Sequence, residues 1–173
     1  MASSGRIFPA EEAAILARTR SYNKALIITR PANVTAYTAN DVVGATAAAL
    51  TFPTMGSSGG RVQLVWAQLE IDVAAVPAGM TNFLLHFYSV TPPSALADNA
   101  PFDIPAGDRA SYLGAIDLGT PVDRGSTLTI EGAQSKYLKL ASGSLFAYLV
   151  TVGGFTPAGN SEVYVVTLHT KEA

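Results

Sequence analysis

Apolar and polar residues alternate along much of this chain with a period of two. In residues 67–73, Ala67, Leu69, Ile71 and Val73 fall on one face, and Gln68, Glu70 and Asp72 on the other. That is the pattern of a half-buried β-strand. Residues 127–131 and 136–140 read the same way. Residues 25–29, 83–90, 145–152 and 163–168 are apolar on both faces, short, and rich in β-branched or aromatic side chains. Such runs predict the central strands of a sandwich. Clusters of Gly, Pro and Ser at 53–60, 77–79, 92–93, 105–108, 119–125, 142–144 and 153–160 separate them, and supply the backbone angles that turns require. About eight to ten strands at this spacing predict an all-β fold, an antiparallel, jelly-roll-like β-sandwich. No amphipathic helices separate the strands, which disfavours a parallel α/β fold.

The start of the chain differs. Residues 9–18 carry Pro9 at the front, Glu11 and Glu12 in the first turn, and Arg18 and Arg20 at the end. That order suits a short helix and its dipole. The apolar stripe is thin, so the helix needs a surface to dock on. The expected organisation is an N-terminal arm over residues 1–21 and a β-sandwich domain over residues 22–173. Residues 91–109 form one long Pro- and Asp-rich stretch, expected to be a structured loop.

Composition narrows this picture. The 173 residues contain no cysteine, 49% hydrophobic residues and only 14% charged ones. Disulfides, thiol nucleophiles and Cys-ligated metals are excluded. The formal net charge of -2 argues against nucleic acid as a partner. No apolar run reaches the ~18 residues of a membrane-spanning helix, and no secretory signal is read at the start. The charge is uneven: residues 1–30 hold five basic and two acidic groups, and the rest six basic and eleven acidic. A basic arm on an acidic body suits an acidic partner surface, although scattered cations also suit a solvated tail.

Catalytic chemistry finds few candidates. His86 and His169 both fall in strand patterns, with no nucleophile motif to serve, so each is expected to be a hydrogen-bonded residue on a sheet face. Asp98, Asp103 and Asp108 lie in one loop and are the one candidate set for calcium, against the commoner use of Asp in structuring turns. The glycine-rich residues 56–60 lack a phosphate-loop pattern and read as a hairpin loop. Most aromatics fall at core positions, and Tyr22, Tyr37, Tyr112 and Phe155 are the candidates for exposure. No cofactor and no catalytic residue is expected.

Several motifs together resemble a family of small virion structural proteins of tailed bacteriophages. They are Arg30-Pro31-Ala32-Asn33-Val34-Thr35-Ala36-Tyr37-Thr38-Ala39-Asn40-Asp41-Val42-Val43-Gly44, then Leu69-Glu70-Ile71, Leu84-Leu85-His86-Phe87-Tyr88, Thr91-Pro92-Pro93-Ser94 and Asp98-Asn99-Ala100-Pro101-Phe102. Tyr112-Leu113-Gly114, Leu149-Val150-Thr151 and Thr156-Pro157-Ala158 complete the series, which spans roughly residues 22–170. The resemblance implies a non-enzymatic virion component, most like a capsid decoration (cement) protein. Such a protein would sit on the outer surface of the capsid, as a homotrimer bound to the major capsid protein. A head-fibre, tail or connector component is the alternative, as is a carbohydrate-binding β-sandwich. The residues expected to contact capsid or neighbouring subunits are Arg6, Ile7, Phe8, Arg18 and Arg20 of the arm, with Asp98, Asn99 and Phe102 of the loop.

Overall fold

The computed structural model describes residues 20–173. Its strands are β1 (Ser21–Thr29), β2 (Val42–Val43), β3 (Leu50–Phe52), β4 (Arg61–Ile71), β5 (Phe83–Tyr88), β6 (Tyr112–Gly119), β7 (Val122–Asp123), β8 (Leu128–Lys139), β9 (Leu145–Thr151) and β10 (Val163–Glu172). One sheet has the order β1-β10-β4-β8-β7, and the other β2-β9-β5-β6, with β3 also paired to β9. Every pairing is antiparallel. β2 and β3 lie along the same strand, β9, so they form one interrupted edge.

The pairings nest. β1 pairs with β10, the β2/β3 edge with β9, β4 with β8, and β5 with β6. A ribbon of four nested pairs wrapped into two sheets is the jelly roll. The expected fold class is therefore the observed one. The expected helix over residues 9–18 lies outside the described residues.

The interior follows the two-residue period. Ala67, Leu69, Ile71 and Val73 are all buried between the sheets, as their alternation predicts. Phe83, Leu85 and Phe87 from β5 meet Leu145, Ala147 and Leu149 from β9 in the same core. Side chains of this size contribute roughly 1.5–3 kcal/mol each on full burial.

Three local expectations change. The two segments 127–131 and 136–140 belong to one twelve-residue strand, β8. Residues 56–60 join β3 in one sheet to β4 in the other, so they cross between layers and do not close a hairpin. Residues 25–29 are not central: β1 ends its sheet, and Ile27 is 74% exposed. A run of apolar residues indicates a strand, but its place in the sheet is set by its partners.

The both-faced apolar pattern of β5 and β9 has a specific cause. Their inner residues face the main core, while Tyr88, Tyr148 and Val150 join Val42 and Ala48 in a second buried cluster. Leu84, Leu96, Phe102, Tyr112 and Phe146 pack against it. Leu96 and Phe102 belong to the long segment between β5 and β6. That segment covers the outer face of the second sheet, so strands β5 and β9 are buried on both sides.

Candidate functional site

The segment between β5 and β6 is laid along the edge of the second sheet. The Val42 N–H donates to Ala100 O, and the Asn99 N–H to Val42 O, both at 2.8 Å. Phe102 N–H donates to Asn40 O at 2.8 Å, Ala48 N–H to Leu96 O at 3.1 Å, and Asp98 N–H to Ala45 O at 3.1 Å. Asp41 and Pro101 form an isolated bridge. These bonds satisfy groups that an open sheet edge would expose, and so block edge-to-edge pairing there. The expected structured loop is present.

A buried charge cluster fixes the near half of this loop. Arg30, just past the end of β1, is 2% exposed. Its Nη2 lies 3.5 Å from Asp98 Oδ2, and its Nη1 lies 3.8 Å from Glu162 Oε2. Its Nε donates to the Tyr37 hydroxyl, which itself donates to Asp98 Oδ1 at 2.5 Å. The Gly44 N–H also donates to Asp98 Oδ1, at 3.0 Å. Glu162 accepts from Tyr164 Oη at 3.1 Å and from the Gly159 N–H at 2.9 Å. Burial, with the hydrogen bond to Asp98, pushes the Tyr37 phenol well above its ordinary range. Burial, with the neighbouring Glu162 charge, does the same to Tyr164. Both phenols therefore stay neutral and act as hydrogen-bond donors. The cluster joins three separate stretches of chain, residues 30–44, Asp98 and residues 159–164, and every charge in it has an opposite charge beside it.

This cluster corrects the expected charge division. Arg30 had been counted with a basic N-terminal stretch; it is an interior residue with two carboxylate partners. Lys24 and Arg20 adjoin the described sandwich, with Lys24 inside β1. Arg6, Ile7, Phe8 and Arg18 lie outside the described residues. Arg20 is exposed at the start of β1.

The other loop residues expected to contact a partner are engaged within the chain. The Asp98 side chain is 5% exposed and serves the Arg30 cluster. Asn99 takes a positive φ of 62°, which Asn tolerates better than most residues. With its amide oriented to satisfy both ends, it donates to Asp41 Oδ2 at 3.0 Å. Phe102 packs against His86 in a tilted arrangement, with ring centroids 4.0 Å apart.

The three candidate calcium aspartates do not converge. Asp103 is exposed and accepts the Ile104 N–H at 2.7 Å. Asp108 is buried at 1% exposure, and its Oδ1 faces the Ser94 N–H at 3.4 Å. Among the described residues, no three His, Cys, Asp or Glu side chains group to hold a metal.

The histidines are placed as sheet-face residues. His86 Nδ1 lies 2.9 Å from the Tyr112 hydroxyl, and burial lowers its pKa from 6.5 to about 4. His169 packs edge-on against Trp66, with centroids 4.9 Å apart. Of the aromatics expected at the surface, Tyr37 and Phe155 are each only 3% exposed and pack on one another. Tyr22 and Tyr112 are half-buried. The aromatic that does face solvent is Tyr137 on β8, at 58% exposure. Exposed Lys139, two residues along on the same face, was the available signal for an outward-facing stretch.

No protein family matches the chain, and no curated protein sequence does. Solved structures with a similar fold include the particle of IBDV, at 10% identity and a TM-score of 0.37, covering 87% of this chain and 31% of that one. The chain thus spans about a third of that protein. They include the capsid of Ralstonia phage GP4, at 14% identity and a TM-score of 0.36, covering 88% of this chain and 85% of that one. They also include a family 35 carbohydrate-binding module from an environmental isolate, at 13% identity and a TM-score of 0.32, covering 83% of each chain. Viral capsid proteins and sugar-binding modules are thus both among the structures similar to this fold. At these TM-scores the likeness carries no argument about function.

Proposed function

We propose that this protein is a non-enzymatic structural component of a virus particle, a decoration (cement) protein that binds the outer surface of the capsid. The carrying observation is how its polar chemistry is used. The buried charges and hydrogen bonds of the Arg30 cluster hold one loop over a jelly roll. His86 has a hydrogen bond to a tyrosine and aromatic neighbours, and among the described residues no nucleophile beside it. A rigid, sealed sandwich of this kind suits a lattice element, and the sequence motifs resemble those of tailed-phage virion proteins. Fold alone does not assign function, so the resemblance carries the phage part of this reading.

The mechanism would be mass action. A protein that binds only the assembled shell raises the free energy needed to open it. Homotrimers seated on a repeating lattice would add their contacts through multivalency. Residues 1–20 would supply part of the grip, through Arg6, Ile7, Phe8, Arg18 and Arg20. Their contribution is smaller in charge than the whole of residues 1–30, because Arg30 is internal.

The test is sedimentation of the purified chain with capsid shells that lack it. Saturable binding to shells, and none to tails, is expected. Binding that survives intact after deletion of residues 1–20 would remove the arm's role, and exclusive recovery with tails would overturn the capsid reading.

A second reading, a glycan-binding sandwich, is favoured by one observation. Exposed Tyr137 and half-buried Trp66 lie on adjacent strands, β8 and β4. A glycan array read with the wild type and Tyr137→Ala would detect it, and an array without hits would end it.

A further inference from the structure

We propose that a monovalent cation, sodium or potassium, binds beneath the 91–111 loop with Asp108 as its one charged ligand. Asp108 is 1% exposed, and its Oδ2 has no hydrogen-bond partner. The ion pairs found among the described residues both belong to Arg30. Arg109, the adjacent cation, is exposed and turns its Nε to Ile104 O at 3.4 Å. Among the described residues, Asp108 is thus a carboxylate withdrawn from water with no positive side chain beside it.

A second orphan oxygen lies within range of the Asp108 charge. Tyr88 is 0% exposed, and its hydroxyl also has no partner. Its ring lies 5.3 Å from that of Tyr112 and 5.9 Å from that of Tyr148. The Tyr148 hydroxyl donates to Ser94 O at 2.5 Å, and Ser94 is the residue whose N–H faces Asp108. Ser94 thus joins Asp108 to the Tyr148 hydroxyl, and the Asp108 charge acts on both the Tyr148 and the Tyr88 phenols. Burial first, and then the Asp108 charge, push the Tyr88 phenol above its ordinary range. The hydroxyl thus stays protonated and offers its lone pairs as a neutral ligand.

The choice of occupant rests on charge balance. An uncompensated ion in the interior costs several kcal/mol. A water molecule could meet the two orphan oxygens, but it would leave the carboxylate charge standing. The available donors are all oxygen, which selects a hard cation. One carboxylate balances one positive charge; a divalent ion would leave an excess charge in the same buried space. Calcium is further disfavoured because Asp98 is committed to Arg30, and Asp103 faces solvent. The bound ion would pin the far half of the loop, as Arg30 pins the near half.

The test is thermal unfolding of the full chain at matched ionic strength in sodium, potassium, calcium and choline chlorides. Sodium or potassium is expected to raise Tm by about 3–6 °C over choline, an ordinary size for ligand linkage in a chain of this length. Asp108→Asn is expected to abolish that difference. Tyr88→Phe, which keeps the ring and removes the ligand oxygen, is expected to reduce it, and serves if Asp108→Asn does not fold. Equal Tm in all four salts overturns the site. A response to calcium alone overturns the monovalent assignment, and an ion response that persists in Asp108→Asn overturns the role of Asp108.

Discussion

Arg30 and Asp108 anchor the two halves of one loop, and both are charges withdrawn from water. Arg30 is met by Asp98, Glu162 and the Tyr37 hydroxyl, all from this chain. Asp108 has an N–H near one oxygen and, among the described residues, no hydrogen-bond partner on the other. The first anchor is charge-balanced as the chain folds, although Arg30 Nη1 makes no hydrogen bond. Among the described residues the second has no counter-charge, and the proposed cation would complete it. Buried charge is tolerated where its compensation is built in, and becomes condition-dependent where it is not.

The strongest way to break this contrast is to remove the built-in compensation. Arg30→Met leaves Asp98 and Glu162 buried without a cation, and is expected to cost about 3–5 kcal/mol in urea unfolding. A loss below about 1 kcal/mol would mean that the cluster is hydrated or protonated, and the contrast with Asp108 would fail. Phe102→Ala uncovers the aromatic patch between the two anchors. As a half-buried ring it is expected to cost about 2 kcal/mol, less than a fully buried one. The same variant is expected to move the His86 pKa from about 4 back toward 6.5, read by NMR titration.

The pH response sharpens the comparison further. The folded pKa of His86 lies below its unfolded value because burial disfavours the charged ring. Between about pH 6.5 and 4 the unfolded chain therefore binds the proton that the folded chain refuses, and stability falls as pH falls through that window. The groups facing the ring are Phe102 and the Tyr112 hydroxyl, neither of them charged, with Ala115 and Tyr148 opposite it on the flanking strands. His86→Gln is expected to flatten this part of the stability profile, measured by denaturant unfolding across the window. An equally steep profile in the variant would assign the dependence to the carboxylates instead. The smallest effect is expected at exposed Ile27, where Ile27→Thr should change stability by no more than about 0.5 kcal/mol.

Much of the fold was legible in the sequence, and much of the candidate site was not. The alternation of residues 67–73 located the core face of β4 residue by residue. The apolar runs 83–90 and 145–152 predict central strands, which β5 and β9 are, and the length and composition of the 91–109 stretch mark a structured loop. The cover that makes β5 and β9 apolar on both faces could not be read, because it comes from Leu96 and Phe102 in another segment. Arg30 was read with the basic N-terminal stretch, since nothing near it in sequence is acidic; its partners are Asp98 and Glu162. Tyr37 and Phe155 are candidates for exposure from the sequence, yet each is buried against the other.

By itself the sequence determined what local physics can encode: strand periodicity, turn positions, the exclusion of thiol chemistry, and an all-β class. A strand needs only its own alternating residues to announce itself, and a turn only its own Gly, Pro or Asp. Tertiary structure alone decided that β1 is an edge, that Arg30 is an interior cation, and that Asp98, Asp103 and Asp108 go to three different environments. Each of those facts depends on which distant segment arrives alongside. The energy of a buried charge is set by neighbours far away in the chain, so it does not exist until the sheets have closed.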